Sequence, residues 1–227
     1  MMTGPRDWRI HAAGDAAIVV RYQPRIDPLI NSRAIDLADT ISRAGCAGVR
    51  DVVPTYSAVT VYIDPLRTDV DALIADLHNT LDKQRVPDLT IGRRLTVPVC
   101  YGGEFGPDLA EVARHACCSE AEVIALHAGR EYRLYMLGFL PGFAYMGAVD
   151  DRIAMPRRDR PRLSVRGGSV GIAGFQTGVY PMDAPGGWRL IGRTPIRVFD
   201  QDRDEPFLFR PGDMVRFQPV SEQVFHE

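Results

Sequence analysis

With 227 residues, 45% of them apolar and 25% charged, the chain has the composition of a soluble globular protein, long enough for one large domain or two small ones. A formal net charge of −2 makes no field that would draw nucleic acid or an anionic membrane. The start, MMTGPRDWRIHAAGD, lacks the apolar core of a secretory signal, and no run approaches the roughly 20 apolar residues of a membrane helix. Cys46, Cys100, Cys117 and Cys118 have no metal or disulfide spacing, so a reducing cytoplasm is the expected compartment.

The first 85 residues alternate strand and helix signals. Trp8–His11 and Ala16–Tyr22 read as strands around the turn Gly14-Asp15. Asp27 is placed to cap a helix with Pro28 at its first position and Gly45 at its end, and Ile30, Ala34, Leu37, Ala38 and Ile41 recur inside it at helical spacing. Val49–Val53 and Ala58–Ile63 read as strands. A second helix is expected from Thr68, with Asp71 as the partner of a capping box and Val70, Leu73, Ile74, Leu77 and Leu81 as its apolar face. Strands with two helices packed on one side point to a ferredoxin-like α+β domain over 1–85.

Residues 86–94 read as a linker into a second domain over 95–227. Leu95–Val99 is a strand. Pro107–Ala116 opens a helix with Asp108 and Glu111 in the first turn, where the helix dipole favours acids. Ser119 with Glu122 forms a capping box for a further helix ending at Gly129, and Tyr132–Met136 is again a strand. Strands are expected at Ile196–Asp200, Phe207–Phe209 and Met214–Pro219, which makes a closed or nearly closed β-barrel the expected architecture.

Between these elements, residues 138–195 hold 11 of the 21 glycines and 6 of the 17 prolines, which excludes a long helix there. Interleaved Phe139, Phe143, Tyr145, Ile172, Tyr180, Trp188 and Ile191 make it a shaped surface of short strands and turns rather than a linker.

Within it Gly167-Gly168-Ser169-Val170-Gly171 fits the nucleophile elbow G-x-S-x-G. The motif needs a helix after the serine and a later histidine. The segment after Ser169 is strand-like, and the only later histidine is His226, so the elbow reads as a decoy. A P-loop is excluded because the only lysine, Lys83, lies on a helix with no glycine near it. Among five histidines with no metal spacing, His127 closes a helix just ahead of the glycine-rich region and is placed to face it. Arg152, Arg157, Arg158, Arg160 and Arg162 read either as a solvated turn offset by Asp150, Asp151 and Asp159, or as guanidinium groups set on rigid Pro-Arg backbone to grip a carboxylate or phosphate. Arg157 and Arg162 fit the second reading best. Gln176, Thr177, Tyr180, Trp188, Arg193 and Thr194, set among glycines, point to a pocket or a partner surface.

The segments Tyr101–Leu109, Leu137–Tyr145, Gly168–Gly174, Gln176–Pro181 and Pro185–Pro195 resemble the KipI family, which includes the B-type subunits of 5-oxoprolinase, also called allophanate hydrolase subunit 1. The resemblance is dense from about 95 to 219 and thinner before it, at Gly14-Asp15 and Val53–Tyr56. It implies a ferredoxin-like domain followed by a cyclophilin-like β-barrel. It also implies a partner, a sister subunit of the C type or of the allophanate hydrolase subunit 2 type. The implied activity is ATP-dependent opening of 5-oxoproline to L-glutamate. The alternatives within the family are inhibition of a histidine kinase and the carboxyltransferase part of a biotin-dependent urea carboxylase. On this reading Arg157, Arg162 and Arg193 would anchor a carboxylate or phosphate, Gln176 and Tyr180 would hydrogen-bond an amide, and Trp188 would wall the pocket. Glycine amides near 168–174 would line it, with His127, Gly168, Ser169, Thr177, Gly187 and Thr194 as further candidates. ATP would be bound here or shared with the sister subunit, and no metal site is expected.

Overall fold

A computed structural model describes residues 6–84, 89 and 91–226. The chain divides into two compact units, Met1–Thr90 and Ile91–Glu227. Of the expected linker at 86–94, residues 86–88 and 90 lie outside the described residues, as do the first five residues of the chain.

In the first unit, β1 (Arg9–Ala12), β2 (Ala17–Arg21), β3 (Val49–Pro54) and β4 (Ala58–Ile63) form one antiparallel sheet in the order β1-β2-β4-β3. Helix α1 (Pro28–Ala44) starts as its caps dictate: the Asp27 carboxylate accepts from the amides of Leu29 and Ile30 at 2.9 and 3.1 Å. Helix α2 (Val70–Lys83) starts differently from the expected Thr68–Asp71 box. Asp69 is its cap, accepting from Ala72 N at 3.0 Å, because a carboxylate next to the first turn outcompetes a hydroxyl one residue further away. Alternate residues Ile18, Val20, Val59, Val61 and Ile63 pack against Ala34, Leu37, Ile41, Leu73, Leu77 and Leu81 as a single core. The chain order is ββαββα, whereas a ferredoxin-like unit runs βαββαβ. The unit therefore has the expected ingredients, a sheet and two helices, but its edge strand β1 comes from an N-terminal hairpin.

The second unit contains β5 (Arg94–Tyr101), α3 (Leu109–His115), α4 (Glu120–Ala128), β6 (Glu131–Leu137), β7 (Ala144–Gly147), β8 (Arg162–Val165) and β9 (Ser169–Ala173). After these come β10 (Gln176–Val179), β11 (Ala184–Gly186), β12 (Arg189–Arg193), β13 (Met214–Pro219) and α5 (Glu222–His226). Seven strands close a barrel in the order β10-β7-β6-β13-β5-β12-β9, and β8 with β11 forms a separate two-stranded sheet. Strands β5 and β13 pair in parallel, the other barrel pairs antiparallel. Both halves of the Ser119–Glu122 capping box are present. Of the three expected C-terminal strands, Met214–Pro219 forms a ladder, while the other two meet in a single bridge, Phe199 to Phe207. Pro206, whose carbonyl accepts from Asp200 N at 2.9 Å, has no N–H to return the bond that would extend the ladder. Helix α5 has no counterpart among the sequence expectations.

Alternation decides which face each barrel residue serves. Val170 and Ile172 of β9, Val179 of β10 and Ile191 of β12 fill the barrel with Val97, Val99, Tyr132, Leu134, Met146 and Phe217. Their neighbours Ala173 and Leu190 point outward and join Phe143, Val165, Tyr180 and Trp188 in a second, smaller core.

Candidate functional site

The residues singled out from sequence separate into four places. His127 and Thr177 lie inside the barrel. His127 is fully buried at the end of α4, so the expected position on the glycine-rich surface is corrected. Tyr101 Oη lies 2.7 Å from Nδ1, and Nε2 lies 2.8 Å from Thr177 Oγ1, which itself donates to the Gly171 carbonyl at 3.0 Å. Because the Thr177 proton goes to a carbonyl, Nε2 must carry the imidazole hydrogen and Nδ1 must accept from Tyr101. Burial, reinforced by Arg130, lowers the His127 pKa to about 3, and burial drives the Tyr101 phenol well above its ordinary range. Phe217 stacks on the imidazole at 4.7 Å. Both ring nitrogens have a partner, so this chain of hydrogen bonds holds the barrel interior in one arrangement.

Tyr180 and Trp188 lie on the outer face of the barrel. Both are buried, and Phe143 meets their rings edge-on at 5.0 and 5.3 Å. Glycine at 171 and 178 lets the indole lie against the sheet, since a Cβ at either position would sit 3.1 Å from the Trp188 side chain. The Tyr180 phenol is raised by burial and hydrogen-bonded to the Trp188 backbone, which leaves it turned into the core instead of toward a ligand. Gln176 opens β10, half-buried, across from Gly147 and Ala173. The Gly187 carbonyl accepts from Arg158 N at 2.7 Å and ties the turn before β12. Arg157 is exposed, 6.0 Å from the Trp188 ring, with no ion pair among the described residues.

Arg162, expected as an anion anchor, is already occupied. It forks onto Asp108 at 2.8 and 2.9 Å. Asp108 also accepts from Arg158 at 2.9 Å and from the Leu190 amide at 2.7 Å, and is almost wholly buried. Instead of serving the dipole of α3, its carboxylate joins that helix to β8 and β12. Glu111 extends the network to Arg189 at 2.7 Å.

The fourth place is open. A cleft of about 600 Å³ is lined by Gly167, Gly168, Asp183, Arg193, Thr194 and Phe199, among others. Arg193 is held at one end only: its Nε donates to the Gly167 carbonyl at 2.9 Å, and its guanidinium carbon lies 5.6 Å from the Phe225 ring of α5. Its Nη donors have no protein partner among the described residues. Gly168 turns the chain with φ of 82° and packs against the Thr194 carbonyl, an approach any Cβ would block. A smaller cleft of about 320 Å³ is lined by Arg162, Arg166, Ser169, Arg193, Glu104 and Leu190 among others, so that Arg193 borders both. The expected backbone-amide lining is corrected: the amides of Gly168, Ser169 and Gly174 donate to the carbonyls of Tyr180, Arg166 and Met155. Ser169 opens β9, paired on both sides, and a strand rather than a helix carries the chain onward, so the elbow geometry is absent. Among the described residues no three His, Cys, Asp or Glu side chains gather as a metal site, and no helix is long and apolar enough to cross a membrane.

The family model of the carboxyltransferase domain, subdomain C and D, matches residues 8–209. The chain belongs to that family. It is 40% identical over 230 residues to the 5-oxoprolinase B subunit of Bacillus subtilis (strain 168), covering 96% of this chain and 95% of that protein. The 5-oxoprolinase B subunit of Escherichia coli O157:H7 is 42% identical over 217 residues, 95% of this chain and 98% of its own. Among solved structures, TTHA0988 superposes with a TM-score of 0.80 at 37% identity over 90% of this chain, which spans 40% of that longer protein. The match to the family model takes in both the sheet of the first unit and the long motifs of the barrel up to Phe209.

Sequence reasoning misses Asp108, Tyr101, Arg166 and Asp183 as site or network residues, and names Arg158 only within the arginine run. Asp108 and Tyr101 lie inside a motif that carries the family resemblance, but a partner 50 residues away from Asp108 leaves no local trace.

Proposed function

We propose that this chain is the B-type subunit of an ATP-dependent 5-oxoprolinase, cytoplasmic and active only with its partner subunits, opening 5-oxoproline to L-glutamate. The observation that carries the reading is near-full-length identity of 40 and 42% to two 5-oxoprolinase B subunits. A cyclophilin-like assignment of the barrel belongs with it. Opening an unstrained lactam needs a carbonyl carbon activated toward water, which phosphorylation of the amide oxygen by ATP, with ADP leaving, would supply.

Within this reading Arg193 takes the substrate carboxylate in the larger cleft. Its free Nη donors support the role, because a guanidinium with two unpaired donors forms the bidentate pair that carboxylates favour. Gly168 and Thr194 shape the wall, and Asp183, already accepting from Gly167 N at 2.7 Å, adds a negative charge to the lining. Arg157 remains available for a ligand or partner at the aromatic face.

The test is glutamate release from 5-oxoproline and ATP by the complex purified with its co-expressed partner subunits. No turnover with all subunits folded and present overturns the reading. The family's carboxyltransferase description favours one alternative, a carboxyltransferase subunit, which requires a biotinylated protein to co-purify with this chain.

A further inference from the structure

The smaller cleft beside Arg193 contains groups that the carboxylate site does not use. We propose that it is a binding site for a phosphoryl group, held by Arg166 and the Ser169 hydroxyl, which line this cleft alone, with Arg193, which borders both clefts, as a shared third donor. The argument rests on charge and on unfilled hydrogen-bonding capacity. Three guanidinium groups, Arg162, Arg166 and Arg193, line the cleft against one carboxylate, Glu104. Behind the wall the two carboxylates Asp108 and Glu111 face three guanidinium groups, Arg158, Arg162 and Arg189, so the wall keeps a net positive charge. Arg166 is exposed and forms no ion pair among the described residues.

Ser169 completes the site. It is 4% exposed, and alternation along β9, with Val170 and Ile172 inside, turns its side chain outward to the cleft. Its backbone amide is used by the Arg166 carbonyl at 3.2 Å, which closes the tight Arg166–Ser169 turn and keeps the two residues together at the cleft. No hydrogen bond to its hydroxyl is present among the described residues. A hydroxyl that opens on the cleft from an otherwise buried residue, beside two guanidinium groups with unpaired donors, is a donor set for the oxygens of a tetrahedral dianion. The apolar residues Phe105, Pro107, Val165 and Leu190 of the lining strengthen each contact by excluding water. A planar carboxylate needs one bidentate fork; a phosphoryl group uses all three donors.

The site does not depend on the lactam-opening reading. Phosphate binding without 5-oxoproline turnover leaves it standing, and turnover without phosphate binding removes it. The test is calorimetric titration of the full chain at low salt with inorganic phosphate, pyrophosphate and ATP, and with acetate as the carboxylate control. Phosphate is expected to saturate one site, to outcompete acetate, and to bind more tightly as the pH rises through its second ionisation. Arg166→Ala and Ser169→Ala should each weaken it, the arginine change by roughly tenfold or more, since each removes a charge-assisted or buried donor. Glu104→Gln should tighten it, which a purely structural role for these residues would not produce. Competition by ATP identifies a nucleotide as the source of the phosphoryl group; binding of inorganic phosphate alone identifies free phosphate. Absence of saturable binding, equal affinity for acetate, or affinities within about twofold of wild type in both Arg166→Ala and Ser169→Ala would overturn the proposal.

Discussion

The outer aromatic face and the Arg193 cleft are both built from the same glycine-rich stretch, yet they differ in what they leave unsatisfied. Around Trp188 the rings are buried, the Tyr180 phenol is turned inward and paired, and glycines serve to bring the indole onto the sheet. Around Arg193 the glycines turn the backbone so that a guanidinium projects with free donors into open space. Two regions drawn from one glycine-rich stretch thus differ: one is packed, and the other carries the binding role proposed for Arg193. What separates them is unmet hydrogen-bonding capacity.

Substitutions can break or sharpen that contrast. The largest stability loss is expected for Asp108→Ala, which strands Arg158, Arg162 and the Leu190 amide around a vacated buried site; about 3–5 kcal/mol should be lost in denaturant unfolding. Trp188→Ala should cost a comparable or slightly smaller amount, ~3–4 kcal/mol, with calorimetry showing the fall in Tm. A loss under about 1 kcal/mol in the second case would mean that Trp188 is not packed as described.

His127 gives a pH-dependent effect. Its folded pKa, about 3, lies below the ordinary value of 6.5 that it regains on unfolding, so the unfolded chain binds the extra proton between them. Stability therefore rises with pH across this window, and is lost as pH falls from 6.5 toward 3, by at most about 1.4 kcal/mol per pH unit from this residue. In His127→Gln that contribution to the slope should vanish, as measured by unfolding at a series of pH values. The smallest stability change is expected at Arg193→Ala, under about 1 kcal/mol, because one backbone bond and a ring contact are lost. Its effect belongs to function: KM for 5-oxoproline should rise by about tenfold in the assembled enzyme, while Tm stays nearly constant. A large fall in Tm would make Arg193 structural and remove the distinction between the two regions.

Local signals are legible wherever the physics is local. Asp27 with Pro28 at the start of α1 and the Ser119–Glu122 box of α4 both depend on groups within four residues, and both can be read from the chain. The cap of α2 sits one residue beyond the sequence expectation, because Thr68 and Asp69 are both competent and geometry selects between them. The C-terminal strands form less completely than their side chains suggest. Phe199 and Phe207 have strand-like side chains, but Pro206, lacking an N–H opposite Asp200, stops the pairing beyond one bridge on that side.

Periodicity, caps and turn residues determined the longer helices, most strands and the expectation of a barrel, because each depends on side chains a few positions apart. Only the tertiary structure decided that Arg162 is spent on Asp108, that His127 points into the barrel, and that Arg193 keeps free donors. Those outcomes depend on partners that lie 54, 50 and 26 residues away along the chain, where no local pattern reports which donor meets which acceptor. A side chain's availability for chemistry is set by that pairing, and the pairing exists only once the barrel has closed.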